Sequence, residues 1–274
     1  MIPASFDYAR PTSLDEALGL LAEHGDDAKL LAGGHSLLPL MKLRLAAPSM
    51  LVDIGRLRDL DYIREDGDRV RIGALTRHTD VEHSDLLARE VPLLAHAAGQ
   101  VGDPQVRHRG TIGGSIAHGD PASDLPAVVL ALGATLTAVG PSGSREIPAG
   151  DFFQGFLETA LAPDEVLTEI SVPRLAGAGW SFQKFNRRAQ DWAIVGVAAV
   201  HNGSTGVALV NMGSTPVRAA AVEQAVDGGA GAADAAAHAA DGLEPPSDLN
   251  ASAEYRRHLA QVLVRRALQE AGVS

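Results

Sequence analysis

Two adjacent-glycine pairs, Gly33-Gly34 and Gly113-Gly114, constrain this chain more than any other feature, because each sits where a regular element meets a loop. Glycine lacks a Cβ and reaches positive φ freely, so a pair of them lets successive backbone N–H groups turn into one concavity, which favours an anion. Ala28-Lys29-Leu30-Leu31 reads as a buried strand running into the first pair, and Ser36 is placed to cap a helix through Leu45 with Pro39 in its first turn. That helix would aim its positive dipole end at the same place. One such pair alone is most simply a tight turn. Two of them, flanked by the hydroxyls of Ser36, Thr111 and Ser115, suit the two phosphates of a dinucleotide held from opposite sides.

The usual nucleotide motifs are missing. No G-x-x-x-x-G-K-[ST] occurs, and no G-x-G-x-x-G falls between a strand and a helix, which disfavours a P-loop ATPase or an ordinary Rossmann dehydrogenase. The nearest approach to a serine-hydrolase elbow, Gly113-Gly114-Ser115-Ile116-Ala117, ends in alanine. His108, His118, Asp120 and Asp124 are of metal-ligating type but match no ligand spacing, so they read as solvated or capping groups and no metal site is expected. Asp191-Trp192-Ala193 follows the basic residues Lys184, Arg187 and Arg188; Trp192 could cover a flat ring, or simply belong to a core or an interface.

The chain has 274 residues, 46% of them apolar and 21% charged, which is the composition of a folded globular protein. A formal net charge of −11, with only short, acid-interrupted basic runs, disfavours nucleic acid as a partner. The absence of cysteine excludes disulfides and any iron–sulfur cluster held by this chain alone. The N-terminus shows no basic n-region or apolar h-region, and the longest weakly charged stretch, Leu125 to Val139, is broken by Pro126 and Gly133. A cytoplasmic protein without a transmembrane segment is expected.

Strand and helix alternate at first. Ser13 and Glu16 form a capping-box pair for a helix that Gly25 ends. Strands are expected at Met50 to Ile54 and Val70 to Ala74, helices at Thr76 to Glu82 and Leu86 to Gln100. A helix from Ser123 to Leu132 and a strand from Thr135 to Val139 follow the second glycine pair. Beyond about residue 175 the pattern becomes α+β, with strands at Trp180 to Arg187, Val195 to His201 and Val207 to Met212, and helices at Val217 to Val226 and Ala253 to Ala271. The alanine- and glycine-rich stretch from Gly228 to Ala240 reads as a solvent-facing loop and weak helix.

With these residues in view, the chain resembles the FAD-binding medium subunits of molybdenum hydroxylases, the xanthine dehydrogenase family, and among them the carbon monoxide dehydrogenase flavoproteins. The resemblance rests on Leu31-Ala32-Gly33-Gly34-His35-Ser36-Leu37-Leu38-Pro39-Leu40-Met41-Lys42, on Arg109-Gly110-Thr111-Ile112-Gly113-Gly114-Ser115-Ile116-Ala117-His118 and on Pro121-Ala122-Ser123-Asp124-Leu125-Pro126. Asp164-Glu165-Val166-Leu167, Phe182-Gln183-Lys184 and Asp191-Trp192-Ala193 extend it along nearly the whole chain.

The resemblance implies an α+β fold. Residues 1–175 would be an FAD-binding domain of the vanillyl-alcohol-oxidase (PCMH) type, made of two α/β subdomains at about 1–55 and 56–175, and residues 176–274 a smaller C-terminal domain of the carbon monoxide dehydrogenase flavoprotein type. By the same resemblance, Ala32 through Ser36 and Thr111 through Ser115, Ile112 included, look like the pyrophosphate loops, with Leu31 and Leu37 also binding the cofactor. Asp124 is a hydrogen-bond partner of FAD, Leu167 lies along the flavin, Lys184 lies near it, and Trp192 shields the ring. Two [2Fe–2S] clusters would belong to a small partner subunit and the molybdenum cofactor to a large one, in a dimer of heterotrimers open to peripheral membrane association. This chain would accept electrons from a cluster and pass them to an outside acceptor such as a quinone, with no catalytic acid or base of its own. A free-standing flavin oxidase of the same fold and a non-enzymatic nucleotide-binding module are the alternatives.

Overall fold

The computed structural model describes residues 2–274. Three bodies of secondary structure meet around one cleft. The first is a parallel sheet of three short strands in the order Asp7–Ala9, Met50–Asp53, Ala28–Leu31. The helix Leu14–His24 packs on it through the buried Ala17 and Leu21. Ser13 caps that helix, its Oγ accepting from Glu16 N at 3.2 Å, and Gly25 closes it at φ 55°, as the sequence predicts.

The second body is a five-stranded antiparallel sheet in the order Ile63–Asp66, Arg69–Gly73, Val166–Pro173, Thr135–Gly140, Gly143–Pro148. Its central strand, Val166–Pro173, alternates only from Glu169 to Val172, a register shift between Leu167 and Glu169 interrupts it, and the reading of the sequence placed no strand there. The polar residues on that strand are paired: Glu169 accepts from Tyr62 Oη at 2.6 Å and from Arg71 at 2.8 Å, and Ser171 from Arg69 at 2.7 Å. Helices cover one side. The single helix expected over Leu86 to Gln100 is two, Asp85–Glu90 and Pro92–Gly99, since a proline disfavours helical backbone in the residue before it and Val91 leaves the helical region at φ −143°.

The third body is an antiparallel sheet in the order Gly179–Phe185, Val195–His201, Thr205–Val210, Val217–Arg218, with the helix Ala253–Glu270 across one face. Its other face packs on the helix Asp124–Ala131 of the second body, all of whose residues are buried. That helix is apolar all round because it is sandwiched, and the sandwich fixes Asp124, at its first turn, against the third body.

The alanine-rich stretch, expected as a solvent-facing loop and weak helix, does hold a short helix but does not face solvent. Ala232–Ala236 is a helix, and Ala232, Ala235, Ala236 and Ala239 are buried in the third body's core beside the long C-terminal helix. Small side chains are what close packing of two helices requires here, so low complexity reflects packing and not exposure. Ala235→Asp, which would enclose a charge without a partner, is expected to lower the unfolding free energy by at least about 2 kcal/mol in urea titrations. A change near zero would show the segment to be loosely held.

Candidate functional site

Between the three bodies lies a cleft of about 710 Å³, within the usual range for small-molecule and cofactor sites. Leu31, Ala32, Gly33, Gly34, His35, Ser36 and Leu37 line it, as do Thr111, Gly113, Gly114, Ser115, Asp124, Leu167, Lys184 and Trp192. Ile112 does not. Its side chain is fully enclosed in the second body's core, so it anchors the second loop from behind.

The first loop leaves its backbone donors uncommitted at the cleft. Gly33, Gly34, His35, Ser36 and Leu37 donate their N–H groups to no acceptor among the described residues. Gly34 holds φ +79°, which only glycine takes without strain. Ser36 turns out not to cap: its backbone is helical at φ −105°, ψ −52°, and its side chain makes no cap bond, so the hydroxyl stays available to a ligand. The helix that follows is Leu37–Leu43, ended by Arg44 in the left-handed region, two residues earlier than expected.

The second loop is built differently, and here the symmetric cradle expected from the sequence is corrected. Gly113 and Gly114 lie within the first turn of a helix, Ile112–His118, whose N-cap is Thr111. Its leading N–H groups are already committed. Ile112 donates to Thr76 O at 3.0 Å, Gly113 to Ala74 O at 2.9 Å, Gly114 to Thr111 Oγ1 at 3.1 Å and Ser115 to Thr111 O at 3.0 Å. These glycines serve close approach: a Cβ on Gly113 would come within 2.4 Å of the Ala74 Cβ and 2.6 Å of its carbonyl oxygen. The two loops also lie side by side, not on opposite walls, since a Cβ on Gly33 would fall 2.7 Å from Gly110 Cα and one on Gly114 3.9 Å from Ala32 Cβ. The second loop therefore offers a ligand small surfaces and the Ser115 and Thr111 hydroxyls, while the first offers the N–H row.

Asp124 and Lys184 meet at 2.7 Å with side chains only 6% and 7% exposed, joining the second body to the third. Lys184 Nζ also donates to Gln100 O at 2.9 Å. Burial pushes the Asp124 carboxyl up to about 6 from 3.8, and the Lys184 ammonium pulls against that rise. Asp124 Oδ1 is enclosed without any partner, although Asp124 lines the cleft. An orphaned carboxylate oxygen of this kind fits a hydroxyl or N–H of a bound molecule.

Leu167 is 5% exposed and forms apolar wall with Leu161 and Ile54. Trp192 stands at the rim, 56% exposed, so it is not a core residue, and of the alternatives an interface role stands beside that of ring cover. It follows Asp191, whose carboxylate accepts from Trp192 N at 3.0 Å and from Arg188 at 3.0 Å. Reading the sequence missed His78, which lies against Gly110, and the short hairpin of Phe153–Gly155 and Glu158–Thr159, which brings Leu157, Glu158 and Thr159 to the cleft. Neither carries a local motif; tertiary contact alone places them. Of the residues weighed as a metal set, no group of three or more comes together among the described residues.

A cleft with a row of free N–H groups at one place, a buried orphan carboxylate oxygen at another and an exposed indole at its rim suits a small anionic molecule with a flat ring. The chain belongs to the family described as the FAD binding domain in molybdopterin dehydrogenase, matched over residues 4–175, and continues into the CO dehydrogenase flavoprotein C-terminal domain over residues 180–271. It is 45% identical to the carbon monoxide dehydrogenase medium chain of Hydrogenophaga pseudoflava, over 99% of this chain and 98% of that one. It is 41% identical to subunit alpha of the 6-hydroxypseudooxynicotine dehydrogenase complex of Paenarthrobacter nicotinovorans, over 99% and 96%. The solved carbon monoxide dehydrogenase of H. pseudoflava, in a form lacking the molybdopyranopterin moiety of its molybdenum cofactor, superposes with a TM-score of 0.95 at 46% identity, covering 99% and 98% of the two chains. The α+β fold expected from the sequence is the fold of this family.

Proposed function

We propose that this chain holds FAD non-covalently in the cleft and acts as the electron-relaying medium subunit of a molybdenum hydroxylase complex of the carbon monoxide dehydrogenase type. The observation that carries the reading is the unpartnered N–H row from Gly33 to Leu37 on the same cleft as the buried Asp124–Lys184 pair. When bound, FAD would supply the redox chemistry by which electrons from a [2Fe–2S] cluster of a small subunit reach an acceptor such as a quinone.

The chain's own residues do the holding. The N–H row and the Ser36 hydroxyl would receive the pyrophosphate, and Ala32 and Gly114 would let the chain approach it closely. Asp124 Oδ1 would accept from a ligand hydroxyl or N–H, while Lys184 keeps the carboxylate charged and in place. Leu167 would pack along the ring system, and Trp192 would shield it from water. No residue of the cleft needs to act as acid or base on the substrate of the complex, which would be oxidised on the large subunit.

Substrate identity is set elsewhere. Relatives at 45% and 41% identity belong by name to carbon monoxide and 6-hydroxypseudooxynicotine dehydrogenases, so similar flavin subunits accompany different chemistries. Both relatives are named as parts of multi-chain enzymes and are matched over nearly their full length, which favours the relay over a free-standing oxidase. We place the division between an FAD domain and a C-terminal domain near residue 175, the complex in the cytoplasm, and its assembly as a dimer of heterotrimers. No helix among the described residues is long and apolar enough to cross a membrane.

The relay is tested by purifying the complex from its host and adding the substrate of its molybdenum subunit without oxygen. The flavin's visible absorbance is expected to bleach, and to return on adding a quinone. An isolated chain that oxidises a small alcohol or amine by itself would overturn the reading in favour of the oxidase.

A further inference from the structure

His78 is buried, 3% exposed, at the start of the helix His78–Glu82, yet it lines the cleft. It is fastened from two sides: His78 N donates to Gly110 O at 3.0 Å, and the preceding Arg77 bridges to Thr111. Its ring lies against Gly110, where an added Cβ would come within 2.7 Å of Cδ2 and 3.0 Å of Nε2. Gly110 in turn abuts Gly33, so the Cδ2–Nε2 edge of the imidazole marks the seam at which the two loops touch.

Neither ring nitrogen has a hydrogen-bond partner in the protein. Nδ1 is wholly enclosed, whereas Nε2 is not among the enclosed unpartnered atoms, which leaves it as the ring's polar contact with the cleft. A buried N–H without an acceptor is rarer than an under-used acceptor, so the proton belongs on Nε2. Burial is the main reason the ring's pKa falls to about 4 from 6.5, with His35, Arg107 and Arg77 nearby adding to the fall, and the ring is therefore uncharged at neutral pH. An uncharged donor enclosed beside a phosphate cradle adds a directed bond without the desolvation cost of a buried cation.

We propose that His78 is a further binding residue of this site, its Nε2–H donating to an oxygen of the bound dinucleotide at the seam between the two loops. The inference rests on the FAD reading above. His78 would complement the N–H row from the side of the second loop, whose own leading N–H groups are spent on Thr76, Ala74 and Thr111.

The test titrates the full-length chain, stripped of flavin, with FAD and follows quenching of flavin fluorescence. His78→Leu is expected to weaken binding by about tenfold or more, as loss of a hydrogen bond to a charged group does. His78→Gln, whose amide nitrogen reaches the Nε2 position, should stay within a few-fold of the parent; His78→Asn, which reaches only the Nδ1 position, should behave as His78→Leu. Equal binding by parent and His78→Leu would overturn the inference and leave the FAD reading standing, whereas a parent that binds no FAD would overturn the FAD reading itself. A glutamine variant as weak as the leucine one would also overturn it, since the donor would then not matter. Should His78→Leu fail to fold, the parent labelled with ¹⁵N-histidine decides: FAD must move a ring-nitrogen resonance that is missing from His78→Gln, and no movement contradicts the assignment.

Discussion

Gly33→Val is expected to give a folded chain that retains no FAD. A Cβ at this position would fall 2.3 Å from Arg109 O and 2.7 Å from Gly110 Cα, both backbone atoms that cannot swing away. The first loop must then move off the second, and the N–H row from Gly33 to Leu37 loses its geometry together with Gly34 at φ +79°. Losing two such charge-assisted bonds, each worth roughly 1.5–3 kcal/mol, corresponds to an affinity at least about a hundredfold lower. Gly114→Val makes an informative contrast. Its new Cβ would crowd only Thr111 Oγ1 at 2.7 Å, and its N–H is already spent on that hydroxyl, so the loss should be smaller. Flavin content per chain after gel filtration, with circular dichroism to confirm folding, checks both variants; an unchanged flavin content in Gly33→Val would contradict the cradle.

Lys184→Met is expected to be the most destabilising change at neutral pH and to recover on acidification. Removing one partner of a buried pair strands the other charge, at a cost of about 3–5 kcal/mol. Asp124 already carries a pKa of about 6 against an ordinary 3.8, a difference worth roughly 3 kcal/mol. Because the folded value is the higher one, the folded state holds the proton more tightly. This group's favourable contribution is thus complete below about pH 4 and is lost as the pH rises through about 6. Without Lys184 the folded value rises further and the window widens upward. Urea midpoints for Lys184→Met should therefore lie closer to the parent's at about pH 5 than at about pH 8. The double variant Asp124→Asn with Lys184→Met should regain much of the loss at the higher pH, since no charge is then stranded. A pH-independent deficit, or no gain in the double variant, would show that the ion pair is not what Lys184 supplies.

Much of this site can be read from the sequence because its pieces are local. The strand Ala28–Leu31, the glycine pair that follows it and the capped helix Leu14–His24 each announce themselves by residue type within a few positions. What stays hidden depends on the chain folding back on itself. That Gly113 supports packing and spends its N–H is decided by Ala74 in a different segment, whereas the Gly114 N–H goes to Thr111 Oγ1 within the same loop. Ser36 resembles a cap by type, but its backbone conformation belongs to the turn. The central strand Val166–Pro173 alternates over only the four residues Glu169 to Val172 because a register shift follows Leu167, and the buried alanines near Ala235 look like linker for want of large side chains. His78 has no motif at all, and its relation to Gly110 exists only in three dimensions.

The most direct test of the central claim is the flavin itself. The purified full-length chain, incubated with FAD and desalted, is to be denatured and the released flavin identified and counted by chromatography. FAD is expected at about one per chain, wholly released, since a cleft of this size takes one dinucleotide and holds it without a covalent link. A colourless protein after loading, or flavin that stays attached to the denatured chain, would contradict it.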